Sequence, residues 1–253
     1  MLGFVLGTGE GREILKEVNK FTSDIFVSTA TKYGGELLKD NKIKVLNTEP
    51  LNLEGFKNAI KENDIKIFVD GTHPYASEAS KTIIKACEEM NITYVRYERK
   101  SFFDKFNHKN IIRIDSYEEL KEAVKDIDGT ILNTTGSNNA LVIHNLNLKN
   151  RIIYRVLPMW QVLKKLTEGG IEIGNIIAIK GPFSIELNRG TIKEYNIKAI
   201  ITKDSGVEGS VDSKVDAILE SDGKIILINK PKMEYNNVFS EITDVVFFLK
   251  DKI

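Results

Sequence analysis

Short apolar runs alternate with amphipathic stretches from one end of this chain to the other, a rhythm that few architectures accept. Runs at 2–6, 24–28, 44–47, 65–70 and 93–97 read as strands. Between them, residues 10–20, a stretch carrying Leu53, Phe56, Ala59 and Ile60, and residues 75–90 place apolar side chains at helical spacing. Strands separated by helices of about 10–15 residues pair in parallel, because the crossover helix returns the chain to the same end of the sheet. Right-handed crossovers then cover both faces of that sheet. Residues 98–110 are polar, basic and aromatic without a period and read as a link. Beyond them the rhythm resumes, with strands at 111–114, 130–133, 152–156, 176–180, 199–202 and 224–228. Helical stretches lie between most of these. One is capped by Ser116 and runs to Asp126, another starts directly after Lys180, and a closing helix covers 240–250. The expected fold is α/β: two Rossmann-like lobes with mainly parallel sheets and an interlobe cleft, divided as residues 1–98 and 99–253.

The chain has 253 residues, enough for one large domain or two compact ones. Lys and Arg together number 36, as do Asp and Glu, so the formal net charge is zero. A general nucleic-acid or anionic-membrane role favours a basic excess and is disfavoured. The single cysteine, Cys87, lies among Ile83, Ile84, Ala86 and Met90 and reads as a core thiol. The three histidines, His73, His108 and His144, have no metal-ligand spacing, so no metal site is expected. No apolar run approaches the roughly 20 residues of a membrane span. Residues 1–6 read as a first strand and not as a signal peptide, so the expected compartment is the cytoplasm.

In open parallel sheets ligands bind outside the carboxyl ends of the strands. The first strand is followed by Gly7-Thr8-Gly9-Glu10-Gly11-Arg12. Glycines there allow a tight turn and a close backbone approach. A helix starting near Glu10 aims free N–H groups and a positive dipole end at the same space, which suits a pyrophosphate. The second strand ends in Ser28-Thr29-Ala30-Thr31-Lys32, without the acid that usually holds a ribose 2′-hydroxyl. Hydroxyls and a lysine point to a 2′-phosphate, although Lys32 reads equally well as a solvated surface residue. The fourth strand delivers Thr72, His73 and Tyr75 to the ligand end, where His73 either caps the helix or hydrogen-bonds and donates protons near neutrality. Arg96 and Arg99 follow the fifth strand and suit carboxylate ligands, or else pair on the surface. Similar polar ends recur at Asn133-Thr134-Thr135-Gly136-Ser137, Arg155-Val156-Leu157-Pro158, residues 181–188 and Thr202-Lys203-Asp204-Ser205-Gly206. Each alone is ordinary turn chemistry. Four on one sheet edge, where parallel strands gather them, suggest a site.

Taken in order, residues 6–12, 70–76, 94–99, 134–136, 155–158, 181–188 and 202–209 resemble the precorrin-6A reductases of cobalamin biosynthesis, including the cobalt-precorrin-6A form. The match spans nearly the whole chain. Leu6 departs from the family's usual opening Gly-Gly-Thr, Lys100 replaces the usual proline after the basic pair, and Ser210 and Ser213-Lys214 replace a second glycine and a Glu-Lys. The resemblance implies an oxidoreductase whose first lobe binds NADPH (NADH being the alternative donor) and whose second lobe contributes to the substrate cleft. A hydride passes to one ring carbon of (cobalt-)precorrin-6A and a proton to its neighbour, giving (cobalt-)precorrin-6B. It implies Gly7, Thr8, Gly9, Glu10, Gly11, Arg12, Thr29 and Thr72 for the nucleotide. For the acid-rich macrocycle it implies Tyr75, Arg96, Arg99, Thr135, Gly136, Ser137, Lys203, Asp204 and Ser205. His73 and Lys203 are the candidate catalytic groups, as proton donors or orienting residues. Any metal belongs to the substrate, and the chain acts as a monomer or homodimer without nucleic-acid or membrane partners.

Two rivals remain at this level. Tyr117 and Lys121 have the four-residue spacing of a short-chain dehydrogenase acting on an alcohol or sugar nucleotide, though a solvated helix face explains them as well. A non-catalytic two-lobed metabolite-binding protein has the same architecture without needing a reduced nicotinamide.

Overall fold

The computed structural model describes residues 1–103, 108–204 and 211–252. They fall into two units, Met1–Lys100 with Pro231–Ile253, and Ser101–Lys230.

In the first unit, β1 (Leu2–Leu6), β2 (Ile25–Ser28), β3 (Val45–Asn47), β4 (Ile67–Gly71) and β5 (Thr93–Tyr97) alternate with α1 (Gly9–Val18), α2 (Lys32–Glu36), α3 (Leu53–Glu62) and α4 (Ser77–Glu89). Successive strand residues point to opposite faces, so one apolar run feeds two cores. Leu2, Phe4 and Leu6 pack with Ile14, Leu15 and Val18 of α1. Val5, Phe26 and Phe68 pack with Phe56 and Ile60 of α3 and Ile83 and Ala86 of α4. Every strand pair is parallel, with Leu2 opposite both Ile25 and Ile67.

The second unit repeats the plan with β6 (Ile111–Ile114), β7 (Thr130–Asn133), β8 (Ile152–Val156), β9 (Ile176–Ala178), β10 (Ile197–Lys203) and β11 (Lys224–Ile228). Its helices are α5 (Leu120–Ala123), α6 (Ser137–Asn145), α7 (Trp160–Glu168), α8 (Ile185–Glu194) and α9 (Val211–Glu220). Leu132, Ile153, Ile200 and Leu227 pack there against Ile192 of α8 and Val215 and Ile218 of α9. All pairs in this sheet are parallel too.

The first sheet takes one edge strand from the far end of the chain. The first sheet has the order β12-β5-β4-β1-β2-β3, where β12 (Val238–Phe239) comes from the end of the sequence. The second has the order β6-β11-β10-β7-β8-β9, so its outer strand is the earliest of its own unit. Arg96 and Glu98 donate their N–H groups to Asn237 and Phe239, at 2.7 and 2.9 Å, and Asn237 Nδ2 donates to Tyr94 O at 2.9 Å. The helix that follows, α10 (Ile242–Asp251), buries Val245 and Leu249 in the α1 face of the first core. This corrects the second-lobe boundary of 99–253: residues 231–253 belong with the first unit, because its edge strand and one helix come from there.

Three local expectations also change. The helix expected from Ser116 to Asp126 shrinks to Leu120–Ala123; Asp115 and Ser116 donate their N–H groups to Glu119 Oε1 instead. The strand expected over 176–180 ends at Ala178, and α8 starts at Ile185, capped by Ser184 accepting from Leu187 N. A short helix, α2, occupies part of the stretch between the second and third strands, to which the periodicity assigns no element. Among the described residues, no helix is long and apolar enough to cross a membrane.

Candidate active site

In the first sheet the strand order reverses at β1, which sends one crossover towards β2 while β4 lies on its other side. Such a reversal opens a crevice at the carboxyl ends of the two strands. The turn after β1 is stapled there. Gly7 N and Thr8 Oγ1 both donate to Gly71 O, at 3.3 and 3.2 Å. Thr8 Oγ1 also accepts from Gly11 N at 3.2 Å, capping α1. A Cβ on Gly11 would lie 2.9 Å from Leu6 Cδ2, so this glycine lets helix and strand pack closely. Gly7 is exposed, and a Cβ there would sit 3.7 Å from Thr72 Cα and His73 N. The turn therefore lies against the loop after β4. Gly9 and Arg12 are half-buried on the first turn of α1.

Glu10 is a departure from the nucleotide reading. It is 8% exposed and its carboxylate meets Arg99 Nη2 at 2.7 Å. An acid in the first helical turn is favoured by the dipole. The pair brings Arg99 to the glycine turn instead of presenting it as a cation for the macrocycle. Thr29 is buried, with Oγ1 donating to Thr31 O at 3.0 Å; it shapes the turn, and Thr31 caps α2 by accepting from Gly34 N. Thr31 and Lys32 are the exposed groups at that strand end.

Behind the loop after β4 lies a buried polar network that sequence reasoning missed. Asp70 is fully buried, yet it accepts four hydrogen bonds: Thr72 N at 2.9 Å, Ser80 Oγ at 2.6 Å, Tyr94 Oη at 2.8 Å and Arg96 Nη1 at 2.8 Å. Arg96 also donates to Thr72 Oγ1 at 2.9 Å and pairs with Glu98 at 2.8 Å, its guanidinium 5.5 Å above the Tyr235 ring. Burial, the largest influence on Arg96, pulls its pKa down, but Asp70 and Glu98 more than offset it and leave the pKa raised. Arg96 is 0% exposed, so the structure corrects its assignment to the macrocycle: the charge is spent inside the protein. Thr72 is likewise buried within the network, while His73 and Tyr75 sit half-buried in front of it. His73 Nδ1 accepts from Tyr75 N at 3.3 Å.

The second sheet reverses its order between β7 and β10. Thr134 N and Oγ1 donate to Ile201 O, at 2.9 and 3.0 Å, as Gly7 and Thr8 do to Gly71. Thr135 donates from N and Oγ1 to Asn133 Oδ1, at 3.0 and 2.8 Å. Gly136 caps α6 at φ +91°, with nothing within 4 Å of a Cβ placed on it. That conformation belongs to glycine, and the open space suits a ligand close to the backbone. Ser137 follows, half-buried. Lys203 is half-buried, and burial lowers its pKa. Asp204 is buried and accepts from Phe102 N at 3.2 Å, an anchoring role for a residue expected to touch the macrocycle. Ser205 lies outside the described residues.

Residue Tyr117 precedes α5, so it and Lys121 do not share a helix and the dehydrogenase spacing has no structural counterpart.

Comparison with known proteins agrees with this architecture. The family model described as "Precorrin-6x reductase CbiJ/CobK" matches residues 3–250. The cobalt-precorrin-6A reductase of Methanocaldococcus jannaschii is 37% identical over 247 residues, covering 96% of this chain and 95% of the relative. That of Priestia megaterium is 36% identical over 252 residues, covering 98% of each. The solved structure of a CobK precorrin-6A reductase superposes with a TM-score of 0.77 at 17% identity, covering 99% of this chain and 96% of that one, a likeness of fold. With two parallel six-stranded sheets and a family match running almost from end to end, this chain belongs to the precorrin-6x reductase CbiJ/CobK family.

Proposed function

We propose that this chain reduces one carbon–carbon double bond of (cobalt-)precorrin-6A with NADPH, giving (cobalt-)precorrin-6B. The observation that carries the reading is the glycine turn stapled to Gly71 where the first sheet reverses its order, in a chain that matches the reductase family from residue 3 to 250. The residues present fit a dinucleotide. Gly7 leaves the turn open to a pyrophosphate, Gly11 lets α1 seat tightly on β1, and the ten-residue α1 points its N-terminus at the same place. Gly7, Thr8, Gly9, Gly11 and Arg12 would hold the phosphates. The exposed Thr31 and Lys32, with no acid at that strand end, favour NADPH over NADH.

When bound, the reduced nicotinamide supplies the hydride. The protein's work is to orient the reactants, exclude water and deliver a proton to the neighbouring carbon. With Nδ1 accepting from Tyr75, a neutral His73 carries its proton on Nε2. Lys203 is the other donor, and burial primes its ammonium to release a proton more readily than a solvated lysine. Gly136 and Ser137, with Thr135 behind them, form the macrocycle-facing edge of the second unit.

Anaerobic incubation with cobalt-precorrin-6A and NADPH should change the macrocycle's absorption spectrum as NADPH is consumed. An unchanged spectrum with authentic substrate would overturn the proposal. Arg12→Ala should weaken NADPH binding more than macrocycle binding, and equal losses would remove Arg12 from the nucleotide site.

A further inference from the structure

The two units treat a buried arginine in opposite ways. In the first, Arg96 is enclosed by two carboxylates. In the second, Arg155 at the carboxyl end of β8 is 8% exposed, and no carboxylate lies within ion-pair distance of it among the described residues. Its guanidinium lies 4.2 Å from the centroid of the Phe183 ring, and Nη1 donates to Asn188 Oδ1 at 2.8 Å. Asn188 is itself fixed, with Nδ2 donating to Ser184 O and Ser213 Oγ at 3.0 and 3.2 Å. The consequence appears in the acidity: burial with no offsetting acid pulls the Arg155 pKa down to about 10.

A buried charge normally comes with a partner, because desolvation is costly and an opposite charge offsets it. Arg155 has a planar neighbour and an amide that hold its fork in one orientation, but no anion among the described side chains. Among the described residues, the sealed side-chain atoms lacking a partner belong to Tyr117, Asn133 and Asn150, so no nitrogen of Arg155 is walled off. Arg155 stands one residue before the carboxyl end of β8, the ligand edge of the sheet. Beside it the chain continues into Leu157, Met159 and Trp160, which are 50%, 49% and 67% exposed. Three large apolar side chains left in solvent next to an unneutralised guanidinium suit a ligand with a broad apolar face and carboxylate arms.

We propose that Arg155, held by Asn188 and Phe183, is the receptor for a carboxylate of the macrocycle, and that Leu157, Met159 and Trp160 form the apolar shelf beside it. This rests on the substrate reading above and assigns one arm of that substrate to the second unit.

Trp160 is the only tryptophan, so its fluorescence reports occupancy of the shelf directly. Titration with cobalt-precorrin-6A should quench it in the wild type. Arg155→Gln should raise the macrocycle Kd and KM about 10- to 100-fold, the loss expected for one charge-assisted contact, while NADPH binding is unchanged. Arg155→Lys should fall between, since an ammonium cannot reproduce the fork. Should Arg155→Gln fail to fold, Asn188→Asp decides the matter. It places a carboxylate 2.8 Å from Nη1 and should weaken the macrocycle by competing for the same charge. A folded variant, judged by its melting curve, that binds the macrocycle within about twofold of wild type would overturn the inference. Wild-type protein that neither reduces nor binds the macrocycle would instead strike the functional proposal itself.

Discussion

Replacing Asp70 with asparagine removes a single charge from the most enclosed ion pair of the first unit. The carboxylate is fully buried and serves four donors, among them the buried Arg96 at 2.8 Å. The amide keeps the shape and one acceptor, so Thr72 N retains a partner. What is lost is half of the charge facing Arg96, leaving Glu98 as its remaining acid. Taking one member from a buried pair typically costs about 3–5 kcal/mol, because the other charge stays desolvated. For a chain of this size each kcal/mol lowers the melting midpoint by about 2–4 °C, so Asp70→Asn should melt roughly 6–20 °C below wild type. Differential scanning calorimetry measures this, with urea unfolding as a second probe. Glu17→Gln, which breaks the exposed pair with Lys20, is the control and should change little. Arg96 Nη1 also donates to Thr72 Oγ1, so a variant that loosens Arg96 should bind NADPH less well even where it remains folded. An Asp70→Asn protein within about 1 kcal/mol of wild type would refute the claim that this ion pair is a main support of the loop.

Gly136→Ala places a side chain at φ +91° and should destabilise the protein by about 1–3 kcal/mol in urea unfolding, although the space around it is open. Burial pushes the Cys87 thiol from 9.0 up to about 12. The native thiol should therefore resist a disulfide reagent at pH 8 and react fully in urea. Between these two values the folded state keeps a proton that the unfolded chain releases. Stability should decline as pH rises from about 9 towards 12, and Cys87→Ala should lack that component. If Lys203 delivers the proton, kcat should fall on an alkaline limb whose apparent pKa lies below the ordinary 10.5, and Lys203→Met should remove that limb and about 10²–10⁴-fold of kcat.

Much of the architecture was legible because parallel strands buried on both faces must be apolar along their length. Residues 2–6 and 93–97 were read with the bounds they have. The glycine turn was legible for a similar reason, since its chemistry is local: Thr8 caps the helix that begins one residue later. The strand Val238–Phe239 was not, because two residues carry no period. The helix after Ser116 is shorter than its capping residue suggests, since a good cap does not compel a helix when Glu119 takes the N–H groups instead. Arginines were the hardest to place. Arg96, expected to meet the substrate, is enclosed, whereas Arg155, at a strand end that reads as ordinary turn chemistry, is a buried cation with no acid beside it among the described side chains.

By itself, then, the order of residues determined the α/β class, the crossover pattern and the position of the glycine turn, because each depends on neighbours within a few residues. Only the tertiary structure decided which segment completes each sheet and which buried charges are neutralised within the protein. Those outcomes depend on partners such as Asp70 and Arg96, 26 positions apart, or Asn237 and Tyr94, 143 positions apart. Ion pairs and edge-strand bonds form wherever folding brings donor to acceptor, and no local periodicity in the chain records that meeting.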